Sequence, residues 1–216
     1  IMARVGVAIL GASGLVSQRM QQRLSMHPWF KLVAIAGQSA DTLLSKLDWH
    51  LDEPRPQSIE ECELRILDIH SKQLANTLLN ENVQLAFSAL PSQPALEIEK
   101  RLVEAGIHVF SNASAYRMHP TVPLVVADVN PEALIAPSDG AALHACATNC
   151  TLIPLLHPLF LLTQQYAIQK VVVRSEQALS GAGWRLLFND ELRTKAIGNE
   201  IEGEAEKIVE EAEKIL

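Results

Sequence analysis

"ARVGVAILGASGLVSQRMQQRLSMHP", residues 3–28, decides the fold. Its opening run, Val5 to Leu10, is continuously apolar, as a strand buried on both faces of a parallel sheet must be. Gly11 and Gly14 bracket a tight turn, and Leu15 to Leu24 continues with helical spacing. A second buried strand, "FKLVAIAG" (Phe30 to Gly37), completes a strand–helix–strand unit of the usual length. Backbone N–H groups at a glycine turn and at a helix N-terminus point at whatever sits there, and the helix dipole favours an anion. "GASGLVS" therefore reads as a pyrophosphate-binding turn made by Gly11, Ser13, Gly14, Leu15 and Val16, with Ser17 at the third small position. The plainer alternative is a tight turn without a ligand; the flanking strands favour the nucleotide.

The pattern continues along the chain. "LRILDI" (64–69) is an expected third strand, and "VQLAFSAL" (83–90) a fourth ended by Pro91. "ALEIEKRLVEAG" (95–106) reads as an amphipathic helix closed by Gly106. "IHVFSNAS" (107–114) and "VPLVVADVN" (122–130) are the expected fifth and sixth strands. Strand alternating with helix throughout implies an α/β fold, a Rossmann-type doubly wound parallel sheet. Near "APSDGAALHACATNC" (136–150) the texture changes, which places a domain boundary close to 147: residues 1–147 form the nucleotide domain and 148–216 the start of a second, α+β domain. There an apolar helix is expected over 151–166, and a strand in "QKVVVRSEQALSGAG" (169–183) that runs into a glycine-rich turn. The tail "NEIEGEAEKIVEEAEKIL" (199–216) is helical by pattern, with Ile201, Ile208, Ala212 and Ile215 near one face.

Bulk properties exclude several classes. A net charge of −7 over 216 residues, with no basic stripe, argues against a nucleic-acid partner. The apolar stretch "TLIPLLHPLFLL" carries prolines and a histidine and is too short to span a bilayer. Cys62, Cys146 and Cys150 fit neither a disulfide framework nor zinc spacing, so no metal is expected and the thiols read as reduced. The N-terminus enters a strand pattern directly, without a signal-peptide pattern, and Ile1 before Met2 reads as extraneous. The expected location is cytoplasmic.

Two loops bear on the cofactor. Sites specific for NAD usually place an acid after the second strand, against the ribose hydroxyls. Here "AGQSADT" offers Gln38 and Ser39, an amide and a hydroxyl suited to a 2′-phosphate, which favours NADP although no Arg or Lys is adjacent. "SALPS" places Ser88, Leu90 and Pro91 at the carboxyl end of a parallel strand, where ligands of such sheets bind. In "ATNCTL" (147–152), Cys150 is open to two readings, a nucleophile or a small core residue.

Taken in order, "GASGLV", "FSALPS", "VFSNASAYRMHPTVPLVVADVNPEAL", "TNCTL", "QALSGAG" and "GEAEKI...E..KIL" resemble the aspartate-semialdehyde dehydrogenase family, most of all its archaeal-like branch. The resemblance covers nearly the whole chain. It implies reduction of 4-aspartyl phosphate to aspartate semialdehyde with NADPH, through a thioacyl intermediate on Cys150, a step toward lysine, threonine and methionine. It further implies that Asn149 helps hold the acyl oxygen and that Gln177 orients the thiolate. Arg117 would bind phosphate, Glu204 the substrate ammonium and Lys207 the phosphate. Gly181 and Gly183 would let the backbone approach the nicotinamide. The chemistry is consistent, because reducing an acyl phosphate needs a nucleophile, a hydride donor and cations on the phosphate. A helix starting just after Cys150 would favour its thiolate.

The family's acid/base histidine and carboxylate-binding arginine come later than Leu216, and the last histidine here is His157. Read alone, the chain is therefore expected to be truncated within the catalytic domain and to lack that acid/base. The family also usually has an aromatic-Pro-Gly segment where this chain has "WRLLFND". Assembly as a homo-oligomer, dimer or tetramer, is implied where the catalytic domain is complete. Two rivals remain. One is an acyl-CoA reductase of the malonyl-CoA type, and the other a non-catalytic nucleotide-binding module.

Overall fold

The computed structural model describes residues 3–138 and 140–216, so Ile1, Met2 and Asp139 of the "PSDG" turn lie outside the described residues. The chain divides into two compact units: residues 1–115 with 136–144, and residues 116–135 with 145–216.

In the first unit β1 (Val5–Leu10), α1 (Leu15–Leu24) and β2 (Phe30–Gly37) follow one another as expected. Then come α2 (Gln57–Glu60), β3 (Ile66–Asp68), α3 (Leu74–Asn80), β4 (Leu85–Ser88), α4 (Ser92–Glu104) and β5 (His108–Ser111). β6 (His144–Cys146), which starts on the last residue of this unit, is the last strand among the described residues, and the sheet order is β3-β2-β1-β4-β5-β6. The pairs β1–β2, β1–β4, β2–β3 and β4–β5 are all parallel.

Side-chain alternation explains why β1 reads as an unbroken apolar run. Val7 and Ile9 pack with Ile35, Ile66, Leu24 and Leu44 on one face. Ala8 and Leu10 pack with Ala34, Ala36, Leu78, Ile98 and Leu102 on the other. With both faces covered, neither parity can be polar. The reversal of strand order between β1 and β4 opens a crevice at the carboxyl ends of these strands, where the first glycine turn lies.

The second unit holds α5 (Ile153–Thr163), α6 (Trp184–Leu187), α7 (Asp190–Ala196) and α8 (Glu204–Ile215). Its core comprises Val122, Leu124, Val126, Val129, Cys146, Leu152, Leu156 and Ile215. That core explains why residues 116–135 join this unit, although they lie within the stretch 1–147 read from sequence as the first domain. Ile208 and Ala212 pack against it, but Ile201 precedes α8 and is exposed.

Two expected strands do not form. Residues 122–130 make one isolated bridge, Leu124 to Cys146, and then turn. The Asn130 side chain takes the place of a ladder partner, accepting from Val126 N at 2.8 Å and donating to Leu124 O at 2.9 Å. The sixth strand of the sheet is supplied instead by His144–Cys146. Residues 167–178 have neither helix nor strand, and Val171, Val172 and Val173 are exposed. A β-branched run becomes a strand only beside another strand, and among the described residues none pairs with it. No helix among the described residues is long and apolar enough to cross a membrane.

Candidate active site

Gly11 adopts φ +99°, and a Cβ there would stand 2.8 Å from Ala89 O, so the turn after β1 passes against the end of β4 only as glycine. Gly14 is different. It caps α1 in an extended conformation, φ −72° and ψ 154°, and its Cβ would meet only Gly11 O, at 3.9 Å. Its bareness leaves the mouth of α1 open. Ser13 and Val16 are exposed there and Leu15 is half-buried; the first turn of α1 carries no acidic residue. This arrangement fits an anionic group such as a pyrophosphate.

Three buried polar side chains brace the turn. Ser17 Oγ donates to Ala12 O at 3.2 Å, and Gln21 Nε2 donates to the same carbonyl at 3.1 Å. Gln18 Nε2 donates to Asp48 O at 2.8 Å and Ser13 O at 3.4 Å, while its Oε1 accepts from His50 N at 2.7 Å. Sequence reading missed Gln18 and Gln21. Their signal was two amides on the side of α1 that is buried.

Gln38 and Ser39 are exposed just beyond β2. In the same loop Arg65 Nη1 donates to Asp41 O at 2.6 Å. Ser88 is fully buried, and its Oγ has no partner among the described residues; Leu90 is buried and Pro91 exposed. Nearby in this unit, Glu99 is fully buried, accepting from Ser111 Oγ at 2.7 Å and lying 3.0 Å from His144 Nε2.

In the second unit Asn149 is the hub. It is 6% exposed. Its N–H donates to Glu211 Oε2 at 2.7 Å, its Nδ2 to Glu204 Oε1 at 2.8 Å, and its Oδ1 accepts from Thr151 N at 2.9 Å. Gln177 Nε2 donates to the same Glu204 oxygen. Asn149, Gln177 and Glu204, read from separate motifs, are thus brought together. Cys150, next in the chain, is exposed. α5 begins at Ile153, with a turn between, so Cys150 lies just ahead of the helix rather than at its first residue.

Arg117 Nη1 donates to Glu211 Oε1 at 3.0 Å, a buried pair rather than a surface one. Glu211 also accepts from Thr148 Oγ1 at 2.6 Å. Glu204 faces Asn149 and Gln177, while Lys207, one turn further, is exposed. Gly183 needs its glycine, with φ +88° in the turn before α6; Gly181 sits in the preceding 3-10 turn, where an added Cβ would come 3.9 Å from Gln177 Oε1. Among the described residues no cluster of His, Cys, Asp and Glu could hold a metal ion.

A glycine turn at the switch point of a parallel sheet defines a dinucleotide-binding α/β protein, here followed by a unit that presents an exposed thiol beside a buried amide. The sequence profile of the semialdehyde dehydrogenase NAD binding domain matches residues 6–136. The chain belongs to the semialdehyde dehydrogenase family. Aspartate-semialdehyde dehydrogenase of Archaeoglobus fulgidus is 36% identical over 99% of the chain and 62% of its own length. That of Methanothermobacter thermautotrophicus is 36% identical over 83% of the chain and 52% of its own length. The chain spans about half to three-fifths of the length of these curated relatives. A crystal structure of the Candida albicans enzyme with NADP superposes with a TM-score of 0.65 at 32% identity, covering 75% of the chain and 48% of that structure. Aspartate semialdehyde dehydrogenase II of Vibrio cholerae shares the fold, with a TM-score of 0.71 at 21% identity over 99% of the chain and 66% of that structure.

Proposed function

We propose that this chain carries the NADP-binding domain and the nucleophile-bearing first part of the catalytic domain of an aspartate-semialdehyde dehydrogenase. The observation that carries this reading is the joining of Asn149, Gln177 and Glu204 by hydrogen bonds immediately beside exposed Cys150. In this reading Cys150 Sγ attacks the acyl carbon of 4-aspartyl phosphate, and phosphate leaves with the electron pair of the broken C–O bond. Asn149 Nδ2 carries two N–H groups; one holds Glu204, and the amide so fixed orients the other toward the acyl oxygen. Glu204 receives the substrate ammonium, and Arg117 and Lys207 receive the phosphate.

The nicotinamide, when bound, supplies the hydride that reduces the thioester. Gly11, Ser13, Gly14, Leu15 and Val16 would hold the pyrophosphate at the mouth of α1. Gln38 and Ser39, with Arg65 across the loop, would meet the 2′-phosphate. Ser88, Leu90 and Pro91 line the carboxyl end of β4, and Gly181 and Gly183 would approach the ring. In this reading the histidine acid/base and the carboxylate-binding arginine belong to the part of the family's catalytic domain that follows Leu216, and assembly into a dimer or tetramer belongs to that domain too. The reaction is that of a small-molecule biosynthetic enzyme of the cytoplasm.

The test is NADPH formation by the 216-residue chain with aspartate semialdehyde, inorganic phosphate and NADP, beside Cys150→Ala, with NADP binding followed by fluorescence. Phosphate-dependent turnover that vanishes in Cys150→Ala supports Cys150 as the nucleophile and means that another group takes the place of the histidine. Turnover that requires coenzyme A in place of phosphate would favour the acyl-CoA reductase. NADP binding without turnover in either protein would mean a folded cofactor domain carrying a nucleophile without its acid/base.

A further inference from the structure

A cleft in the first unit, between the start of α3 and the last turns of α4, is lined by none of the residues assigned to the cofactor or the reaction. It encloses about 200 Å³ among Lys72, Leu74, Ala75, Arg101, Leu102 and Glu104. Leu74 and Leu102 belong to the buried core and Ala75 packs against it, so the floor is apolar and fixed. The polar wall is different. Arg101 is half-buried, and its one hydrogen bond among the described residues runs from Nη1 to Ser71 O at 3.5 Å, the outer limit of such a bond. Its Nε is buried and has no hydrogen-bond partner among the described residues; Glu97 Oε1, at 3.9 Å, is too far to accept. A guanidinium offers five N–H groups in a rigid fork, so most of this one's capacity is unspent. Lys72 stands exposed at the rim, and the one acid of the lining, Glu104, lies 3.8 Å from Lys100, which offsets its charge.

An unsatisfied buried donor calls for an occupant or a strain to explain it, and the two cations over an apolar floor define the occupant's chemistry. Lys72 brings a point charge and Arg101 a fork of parallel donors, a pairing that suits the several oxygens of a phosphate. Sites for drug-sized ligands enclose roughly 300–1,000 Å³, so the occupant here is small. We propose that this cleft is a second anion site, which takes the phosphate group of a small molecule between Lys72 and Arg101, over Leu74, Ala75 and Leu102. The proposal does not rest on the reading of Cys150 or Arg117.

The experiment is proton–nitrogen correlation NMR of the full chain during a titration with inorganic phosphate, with sodium chloride at matched ionic strength as the control. The signals read are the Arg101 Nε–H and the amides of Ser71 and Leu74. They are expected to move together and saturate with phosphate, and not with chloride. Lys72→Met raises half-saturation about threefold, the scale of an exposed ion pair. Arg101→Lys keeps the charge but loses the fork, and raises it about tenfold, read on the two amides. Arg117→Ala leaves this titration unchanged, which separates the cleft from phosphate bound at the candidate active site. Ethyl phosphate identifies the source. Tighter binding than that of the free ion assigns the cleft to an esterified phosphate whose body rests on Leu74 and Ala75; equal or weaker binding assigns it to phosphate itself.

Signals that do not saturate, or that follow chloride as they follow phosphate, overturn the proposal and leave Lys72 and Arg101 as solvated side chains. So does a half-saturation that neither Lys72→Met nor Arg101→Lys changes. Neither result touches the reading of Cys150, which is tested by turnover.

Discussion

In Gly6→Ala the new methyl carbon would stand 2.4 Å from the Asn82 carbonyl oxygen and 3.3 Å from Val33 Cγ2. Gly6 lies in β1, which has β2 on one side and β4 on the other, so β1 cannot retreat without disturbing both ladders. Asn82 cannot easily move either. It sits at φ +57° in the turn between α3 and β4, with its N–H on Leu79 O at 3.0 Å and the next N–H on Leu78 O at 3.0 Å. Overpacking of this kind costs about 1–3 kcal/mol, toward the upper end where the obstructing atom is backbone. The reduced freedom of the unfolded chain returns about 0.4–1 kcal/mol, leaving a net loss of about 2 kcal/mol. Gly106→Ala is the matched control: φ is +89°, but nothing lies within 4 Å of the added carbon. There only the left-handed backbone matters, at about 1–2 kcal/mol before the same return. Urea unfolding followed by circular dichroism reads the difference. With a slope of about 2 kcal/mol per molar, Gly6→Ala lowers the midpoint by about 1 M and Gly106→Ala by roughly half of that or less. Equal midpoints for the two variants would refute the packing argument.

Other expectations follow from the polar contacts. Gln18→Leu removes its hydrogen bonds with His50 N and Asp48 O, each worth about 0.5–1.5 kcal/mol, and loosens the turn at Ser13. Both the urea midpoint and NADP affinity fall, and an unchanged affinity would show that Gln18 does not hold the nucleotide turn. Glu99→Ala takes a partner from Ser111 Oγ and His144 Nε2 in a buried site and lowers stability by about 1–3 kcal/mol. A urea midpoint close to the parent's would contradict that. The Ile153 carbonyl and then the Asp128 carboxylate hold the His157 imidazole above its ordinary 6.5, so the folded chain binds this proton more tightly than the unfolded one. The stability so gained is complete below 6.5 and is lost as pH rises through the raised value. The unfolding midpoints of the parent and His157→Gln therefore differ most on the acidic side and converge on the alkaline side; a gap that widens with rising pH would reverse the assignment.

Some elements that sequence left invisible had a trace in the pattern. Glu99 lies with Ala95, Ile98 and Leu102 on the apolar stripe of α4, and Glu211 shares its stripe with Ile208, Ala212 and Ile215 in α8. An acid at such a position is a sign of a buried partner. In a segment as charged as "EAEKIVEEAEKIL", however, it reads as one more solvated carboxylate. The partners themselves, Arg117 and Thr148, are far away in sequence, and no local period connects them.

The strand–helix–strand unit over Val5–Gly37 was determined by sequence alone, to the residue, because its causes are local: apolar runs, the φ of Gly11 and the spacing of α1. The motif around Cys150 is one short contiguous stretch, so it stands out in the sequence as a candidate. What only the tertiary structure decided was pairing. Two β-branched segments, 122–130 and 169–176, have strand composition yet form no strand, while "HAC" at 144–146 takes the sheet edge. A strand is defined by its neighbour, a buried carboxylate by its donors, and both lie at sequence separations that local periodicity does not reach.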